Sequence, residues 1–178
     1  QNTNNINPKK IPIKNINNIS IENVSFSYDG KINILNNLSF KIYKNEIFGI
    51  FGKSGSGKST LVDIISGLII PQKGIIKIND DHEIQKNISF WQNSIGYVTQ
   101  DPVLINDTLK NNICLGEDVI NEEKYFKAIN ISGVDQLLKN LPNRADTLVG
   151  ELGSKFSGGE KQMIAIARAI YREPKILI

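Results

Sequence analysis

The chain has 178 residues, of which 40% are hydrophobic and 22% are charged, a composition that is ordinary for a soluble globular domain with one hydrophobic core. The formal net charge of +3 does not call for a nucleic-acid or membrane partner. The single cysteine, Cys114, excludes an internal disulfide, which favours a reducing compartment, and no apolar run approaches the ~20 residues that span a bilayer.

The first half of the chain predicts a linker followed by strands. Residues 1–18 are rich in Asn, Ile and Lys, contain two prolines and show no periodicity, which predicts a linker or tail. Apolar residues then alternate with polar ones over residues 19–28 and 38–42, which predicts two strands with a turn at Asp29 and Gly30 after the first. The continuous apolar run at residues 47–51 predicts a strand that is buried on both faces.

The rest of the chain predicts an alternation of helices and strands. Helical spacing over residues 61–68 is followed by strand patterns over 74–78 and 95–98, and a last helix precedes a strand from Lys175. Between them, residues 106–141 are helical and polar, which predicts an inserted helical subdomain with bounds at about 101–157. This alternation predicts an α/β fold with a mainly parallel sheet.

A phosphate-binding loop motif, G-x-x-x-x-G-K-[ST], is matched in full directly after the predicted buried strand and before the first predicted helix. Its glycines let backbone N–H groups point at phosphate oxygens, and the helix start adds roughly half a positive charge. Lysine would reach the β- and γ-phosphates and the last serine hydroxyl would ligate Mg²⁺. The alternative is a Gly/Ser-rich turn, and the motif alone does not separate ATPases, GTPases and kinases. The motif residues are Gly52, Lys53, Ser54, Gly55, Ser56, Gly57, Lys58 and Ser59.

A second glycine stretch opens the last predicted helix. Ser157 and Glu160 have the spacing of a capping box, which explains these two residues by local structure alone. It does not explain Gly158 and Gly159, since each glycine in a helix costs about 1 kcal/mol relative to alanine. Glycine is expected there if another molecule must touch the backbone, so this helix start predicts a second anion site.

With these motifs the sequence resembles the nucleotide-binding domain of ATP-binding cassette (ABC) transporters over residues 19–178. Residues 156–160, Phe-Ser-Gly-Gly-Glu, resemble the family signature Leu-Ser-Gly-Gly-Gln, and residues 52–60, including Thr60, resemble the family's phosphate loop. Gln100 resembles the glutamine that touches Mg²⁺, and Tyr28 resembles the aromatic residue that stacks on adenine. The local alternatives are a strand-end aromatic that packs on the sheet for Tyr28 and a strand-end cap for Gln100.

The resemblance implies a P-loop NTPase core, a small antiparallel β subdomain and an ATPase that uses ATP and Mg²⁺. It implies catalytic roles for Lys58 and Gln100, metal ligation by Ser59 and Gln100, and nucleotide contacts from Tyr28, the phosphate loop and Ser157, Gly158, Gly159 and Glu160. The signature would act on the nucleotide of a second such domain in a head-to-tail dimer. The implied partners are that domain and a transmembrane domain, expected on the same polypeptide, and not a nucleic acid.

Residues 147–153 resemble the Thr-x-Val-Gly-Glu-x-Gly stretch of exporters, although an ordinary Gly-bounded turn is the alternative. An exporter ATPase on the cytoplasmic face of a membrane, bacterial by the Asn/Ile/Lys bias, is therefore expected, with a lipid, lipid-linked sugar or peptide among the possible cargoes. A soluble ABC ATPase is the rival interpretation. Residues 176–178 resemble the start of the strand that carries the Mg²⁺-linked aspartate and the glutamate base, so we expect a fragment in which neither is present.

Overall fold

The computed structural model describes residues 15–178, so most of the predicted linker, residues 1–14, lies outside the described residues. The chain divides into two compact units, which are described separately below. The first runs to Asn93, and the second covers Ser94–Ile178.

An antiparallel sheet dominates the first unit. Its strands are β1 (Asn18–Phe26), β2 (Leu35–Tyr43), β3 (Lys73–Ile78) and β4 (His82–Glu83), in the order β2-β1-β3-β4. In the two central strands, Ile21 and Val24 of β1 and Ile76 and Ile78 of β3 are fully buried, as the alternating pattern requires. The strands predicted over residues 19–28, 38–42 and 74–78 are thereby confirmed.

Two helices complete the first unit. They are α1 (Lys58–Ile65) and α2 (Ile88–Asn93). Trp91 of α2 is fully buried, and its indole N–H donates to the carbonyl of Ile65 at 2.7 Å. Because Leu61 and Ile64 of α1 are buried as well, packing fixes α1 and therefore the loop that leads into it.

Helices dominate the second unit. They are α3 (Leu109–Ile113), α4 (Glu122–Ser132), α5 (Val134–Lys139) and α6 (Gly158–Tyr171), and one short parallel pair joins β5 (Ile95–Gly96) to β6 (Ile176–Leu177). One hydrophobic cluster holds these helices together, and it includes the buried Cys114. Helices α3, α4 and α5 lie within residues 106–141, where the sequence predicts helical structure, and α6 is the last predicted helix.

The predicted mainly parallel sheet is not what the described strands form. Their larger sheet is antiparallel, and the parallel pairing is limited to β5 and β6. The strand predicted at residues 47–51 is wrong: this stretch is not part of either sheet, and the side chains of Ile47 and Phe51 are 100% and 93% exposed. A run that is apolar on both faces forms a buried strand only between two neighbours, and the described residues supply it none.

Among residues 15–178, no helix combines the length and the apolar character needed to cross a bilayer.

Candidate nucleotide-binding site

The phosphate loop is a tight turn that depends on its glycines. Gly55 and Gly57 have φ of +77° and +87°, in the left-handed region that glycine adopts most easily. A Cβ added at Gly57 would also lie 2.7 Å from Cγ2 of Ile34 and 3.2 Å from its backbone carbonyl oxygen. The loop therefore needs glycine at positions 55 and 57, and the second of these is a glycine that the motif fixes.

The start of α1 is open to an anion. Gly57 is the N-cap residue, no side chain caps the helix, and no acidic residue lies in its first turn. The first N–H groups of a helix have no partner within the helix, and they carry the positive end of its dipole. The ammonium of Lys58 donates to the carbonyls of Gly52 and Lys53 at 3.0 and 2.8 Å, so the cation lies over the same loop. These groups fit a polyphosphate.

Tyr28 lies beside this helix with its ring largely in solvent. Its hydroxyl shares a hydrogen bond with that of Thr60, in the first turn of α1, at 3.3 Å. The ring packs edge-on against Phe26, with centroids 4.9 Å apart and planes at 88°. The side chain is 66% exposed, so a ring face remains available to a planar ligand.

The residues on either side of Tyr28 are held by side chains that the sequence analysis did not identify. The backbone N–H of Ser27 donates to the side-chain carbonyl of Gln72 at 2.7 Å, and the amide of Gln72 donates back to the Ser27 carbonyl at 2.5 Å. Asp29 accepts from the N–H groups of Lys31 and Ile32, and these bonds lower the pKa of its carboxyl. No local motif could have revealed Gln72, because its partner lies 45 residues away.

The second glycine helix start forms the predicted capping box. The side chain of Ser157 accepts from the N–H of Glu160, and the Glu160 carboxylate accepts from the N–H and the hydroxyl of Ser157 at 2.7 and 2.8 Å. These bonds, that from the backbone N–H first, lower the pKa of Glu160. The helix start therefore keeps a negative charge of its own at neutral pH.

Gly158 and Gly159 are not required by the fold of this chain. A Cβ added at either position would meet nothing within 4 Å, and neither residue has a positive φ. This differs from the phosphate loop, where backbone conformation or a close neighbour demands glycine. The chain therefore leaves open space at the start of α6.

Gln100 lies in the second unit and is connected to the signature helix. The side chain of Gln162, on α6, donates to the backbone carbonyl of Gln100 at 3.3 Å. The other residue predicted to ligate Mg²⁺, Ser59, lies in the first unit at the exposed start of α1. Both offer neutral oxygen donors, a chemistry that suits Mg²⁺.

Two adjacent segments of the second unit carry exposed apolar side chains. Leu148 forms a bridge with Thr108, so the stretch that resembles the exporter motif lies beside the loop that follows Gln100. The exposed apolar side chains of this surface are those of Val103, Ile105, Leu148 and Leu152. Leu104, between the first two, is buried and fixes the loop to the core.

A family model described as "ABC transporter" matches residues 35–178. The chain is 40% identical over 162 residues to ATP-binding cassette sub-family B member 5 of Homo sapiens, covering 90% of this chain and 13% of that protein. It is 40% identical over 170 residues to a putative export ATP-binding/permease protein of Rickettsia bellii, covering 93% of this chain and 29% of the relative. The chain is also 40% identical over 162 residues to the leukotoxin translocation ATP-binding protein LktB of Mannheimia glucosida, covering 90% of this chain and 23% of that protein.

Among solved structures, a bacterial Atm1-family ABC exporter with ATP bound matches with a TM-score of 0.85 and 36% identity, covering 92% of this chain and 29% of that one. The chain thus spans less than a third of the length of these relatives. The family model covers most of the chain, including the phosphate loop and both halves of the capping box. The chain belongs to the ABC transporter family.

Proposed function

We propose that this chain is the ATP-binding and ATP-hydrolysing part of an exporter-type ABC transporter. The observation that carries the proposal is the contrast between its two glycine helix starts. Gly57 is demanded by the loop's own conformation, whereas Gly158 faces open space that this chain does not use. Both helix starts are explained if α1 binds this chain's own nucleotide and α6 contacts the nucleotide of a neighbouring domain.

At the first helix start, the chain's own groups would hold the triphosphate of ATP. The N–H groups of the loop and of α1 donate to phosphate oxygens, and Lys58 exchanges its loop carbonyls for the β- and γ-phosphates. Ser59 and Gln100 offer oxygen ligands to Mg²⁺, which when bound would neutralise charge on the phosphates. The exposed face of Tyr28 stacks on the adenine.

At the second helix start, we infer that Ser157, Gly158, Gly159 and Glu160 meet the γ-phosphate bound by a second nucleotide-binding domain. Two such domains would pair head to tail, so each site is completed in trans. The open space around both glycines supports this arrangement, because a backbone without side chains allows the closest approach of a ligand.

A transmembrane domain is the second partner that we propose, on the same polypeptide. The exposed apolar side chains of Val103, Ile105, Leu148 and Leu152 lie on two adjacent segments and offer a docking surface for it. The relatives named as export and translocation proteins support an exporter rather than a soluble ATPase. The chain would then work at the cytoplasmic face of a membrane, bacterial by composition, on a lipid, lipid-linked sugar, peptide or similar cargo.

One finer feature belongs to the same proposal. The glutamate general base that the family resemblance implies is not among the residues to which we assign a role in this chain. The chain by itself should bind Mg-ATP with negligible phosphate release.

The test compares two substitutions. Lys58→Ala should remove most of the affinity of this chain for Mg-ATP in isothermal titration, because it deletes the charge that meets the phosphates. Gly158→Asp should leave that affinity intact and abolish ATP hydrolysis by the full-length polypeptide, since a carboxylate would occupy the position of the neighbour's γ-phosphate. Unchanged affinity in a folded Lys58→Ala variant, or unchanged hydrolysis with Gly158→Asp, would contradict the proposal.

A further inference from the structure

We propose that Gln72 is a positioning residue for the nucleobase: its side-chain amide fixes the backbone next to Tyr28 and so sets the ring against which the base stacks. This inference rests on the stacking role proposed for Tyr28. It adds a residue that lies outside every motif recognised in the sequence.

The amide of Gln72 replaces backbone pairing that the sheet cannot provide. β1 and β3 pair antiparallel, and their register ends at Ser25 opposite Lys73. Extending this register by two residues sets Ser27 opposite Pro71, which has no N–H to donate. The Gln72 side chain, one residue further along, supplies both a donor and an acceptor to Ser27 at 2.5 and 2.7 Å. The sheet is thereby continued past the last paired residue.

Tyr28 depends on this support because its own side chain is weakly packed. The ring is 66% exposed and touches one aromatic edge, that of Phe26, and one hydroxyl, that of Thr60. The direction of such a side chain is set by the backbone on either side. Asp29 holds the following residues through the N–H groups of Lys31 and Ile32. Gln72 holds the preceding residue, and Ser27 is itself buried at 3% exposure.

We expect Gln72 to affect the binding of the nucleobase and not the binding of the phosphates. Gln72 makes its two hydrogen bonds with Ser27, and the bonds of Lys58 with its loop involve Gly52 and Lys53 instead. Removing the amide should therefore loosen the ring without altering the phosphate loop. A residue that merely stabilised the fold would affect both parts of the ligand.

The experiment measures the affinities of ATP and of inorganic tripolyphosphate for the 178-residue chain by isothermal titration. Gln72→Leu should weaken ATP binding about three- to tenfold, as expected for the loss of a pair of hydrogen bonds, and leave tripolyphosphate binding unchanged. Gln72→Glu, which sets a carboxylate oxygen against the Ser27 carbonyl in place of the amide donor, should weaken ATP binding at least as much. Gln92→Leu is the matched control, because Gln92 is an exposed glutamine of the same unit with a single bond, to the Gly67 carbonyl.

A double-mutant cycle with Tyr28→Ala makes the inference specific. If Gln72 acts through the ring, Gln72→Leu should have little further effect on ATP affinity once the ring is removed. Additive losses, equal losses for both ligands, or no loss with Gln72→Leu would each overturn the proposal. If Tyr28→Ala does not change ATP affinity, then Tyr28 does not stack on the base and the role proposed for Gln72 is wrong as well. A loss of tripolyphosphate binding with Lys58→Ala would still support the phosphate site.

Discussion

Arg168 donates from two guanidinium nitrogens to Asn112, from Nε to the backbone carbonyl at 2.8 Å and from Nη2 to the side-chain carbonyl at 3.2 Å. Asn112 is fully buried, and its amide donates to the carbonyls of Ile105 and Thr108, both at 3.0 Å. A third guanidinium nitrogen, Nη1, donates to the Val103 carbonyl at 3.0 Å. The signature helix is thus bonded to the segment proposed to face the membrane domain.

Asn112→Leu should lower the free energy of unfolding by about 3 kcal/mol, because it leaves several buried polar groups without partners. Urea unfolding of the 178-residue chain measures this. Asn111→Leu is the control on the same helix, since Asn111 is exposed and its side-chain amide donates to the carboxylate of Asp107. Its effect should stay below about 1 kcal/mol. Equal losses for the two variants would mean that the buried bonds of Asn112 contribute little.

Tyr28→Ala should weaken ATP binding more than Tyr28→Trp, because stacking on adenine needs an aromatic face and not a hydroxyl. Tyr28→Phe tests the other contact, since it removes only the bond to Thr60. We expect a loss of about fivefold to twentyfold for alanine, and less than about threefold for the two aromatic variants. Equal losses for alanine and tryptophan would mean that Tyr28 only packs on the sheet.

Gly159→Ala should stabilise the isolated chain by about 0.5 kcal/mol, because the added methyl group meets nothing within 4 Å and alanine is the better helix former. The same substitution should slow ATP hydrolysis by the full-length polypeptide, where a neighbour's nucleotide would approach that backbone. Thermal unfolding and phosphate release measure the two effects. A destabilised chain, or an unaltered hydrolysis rate, would show that the glycine has another purpose.

Lowering the pH should reduce the stability of the folded chain, because protonation of Glu160 weakens the capping box at the start of α6. Its pKa is lowered from 4.5 by the N–H and hydroxyl of Ser157, so the ionised carboxylate stabilises the folded state. This contribution is fully present above the unfolded value and is lost as the pH falls through the lower folded pKa. Glu160→Gln, which keeps a capping box without a titrating group, should show a shallower loss of stability as the pH falls from 6 to about 3. Parallel curves for the two proteins would disprove the contribution.

The elements that the sequence predicted correctly are those that bury one face within the chain. Helical spacing predicted α1 and α6, and alternation predicted β1 even across its irregularity, where the register shifts between Ile21 and Val24. The run at residues 47–51 failed because a strand that is apolar on both faces takes its structure from neighbours on either side. A sequence pattern indicates which faces of a segment must be buried, but whether they are buried depends on the segments that pack beside it.

For the candidate site, motifs located the groups that face a ligand but not those that hold them. The phosphate loop and the capping box are local, so spacing alone revealed them. Gln72 and Arg168 act on residues 45 and 56 positions away, and a polar residue at such a separation carries no periodic signal. Supporting residues of this kind become visible only when the backbone is folded.

The bonds of Lys58 to its own loop make nucleotide capture an exchange. An ammonium has three donors, and two of them are already bonded to the carbonyls of Gly52 and Lys53. The third donor is left for a phosphate oxygen, and each further phosphate oxygen that Lys58 gains replaces a carbonyl that it leaves. A triphosphate carries more negative charge than a single phosphate, so it compensates this exchange better. We therefore expect the loop to favour longer polyphosphates before any side chain has contacted the base.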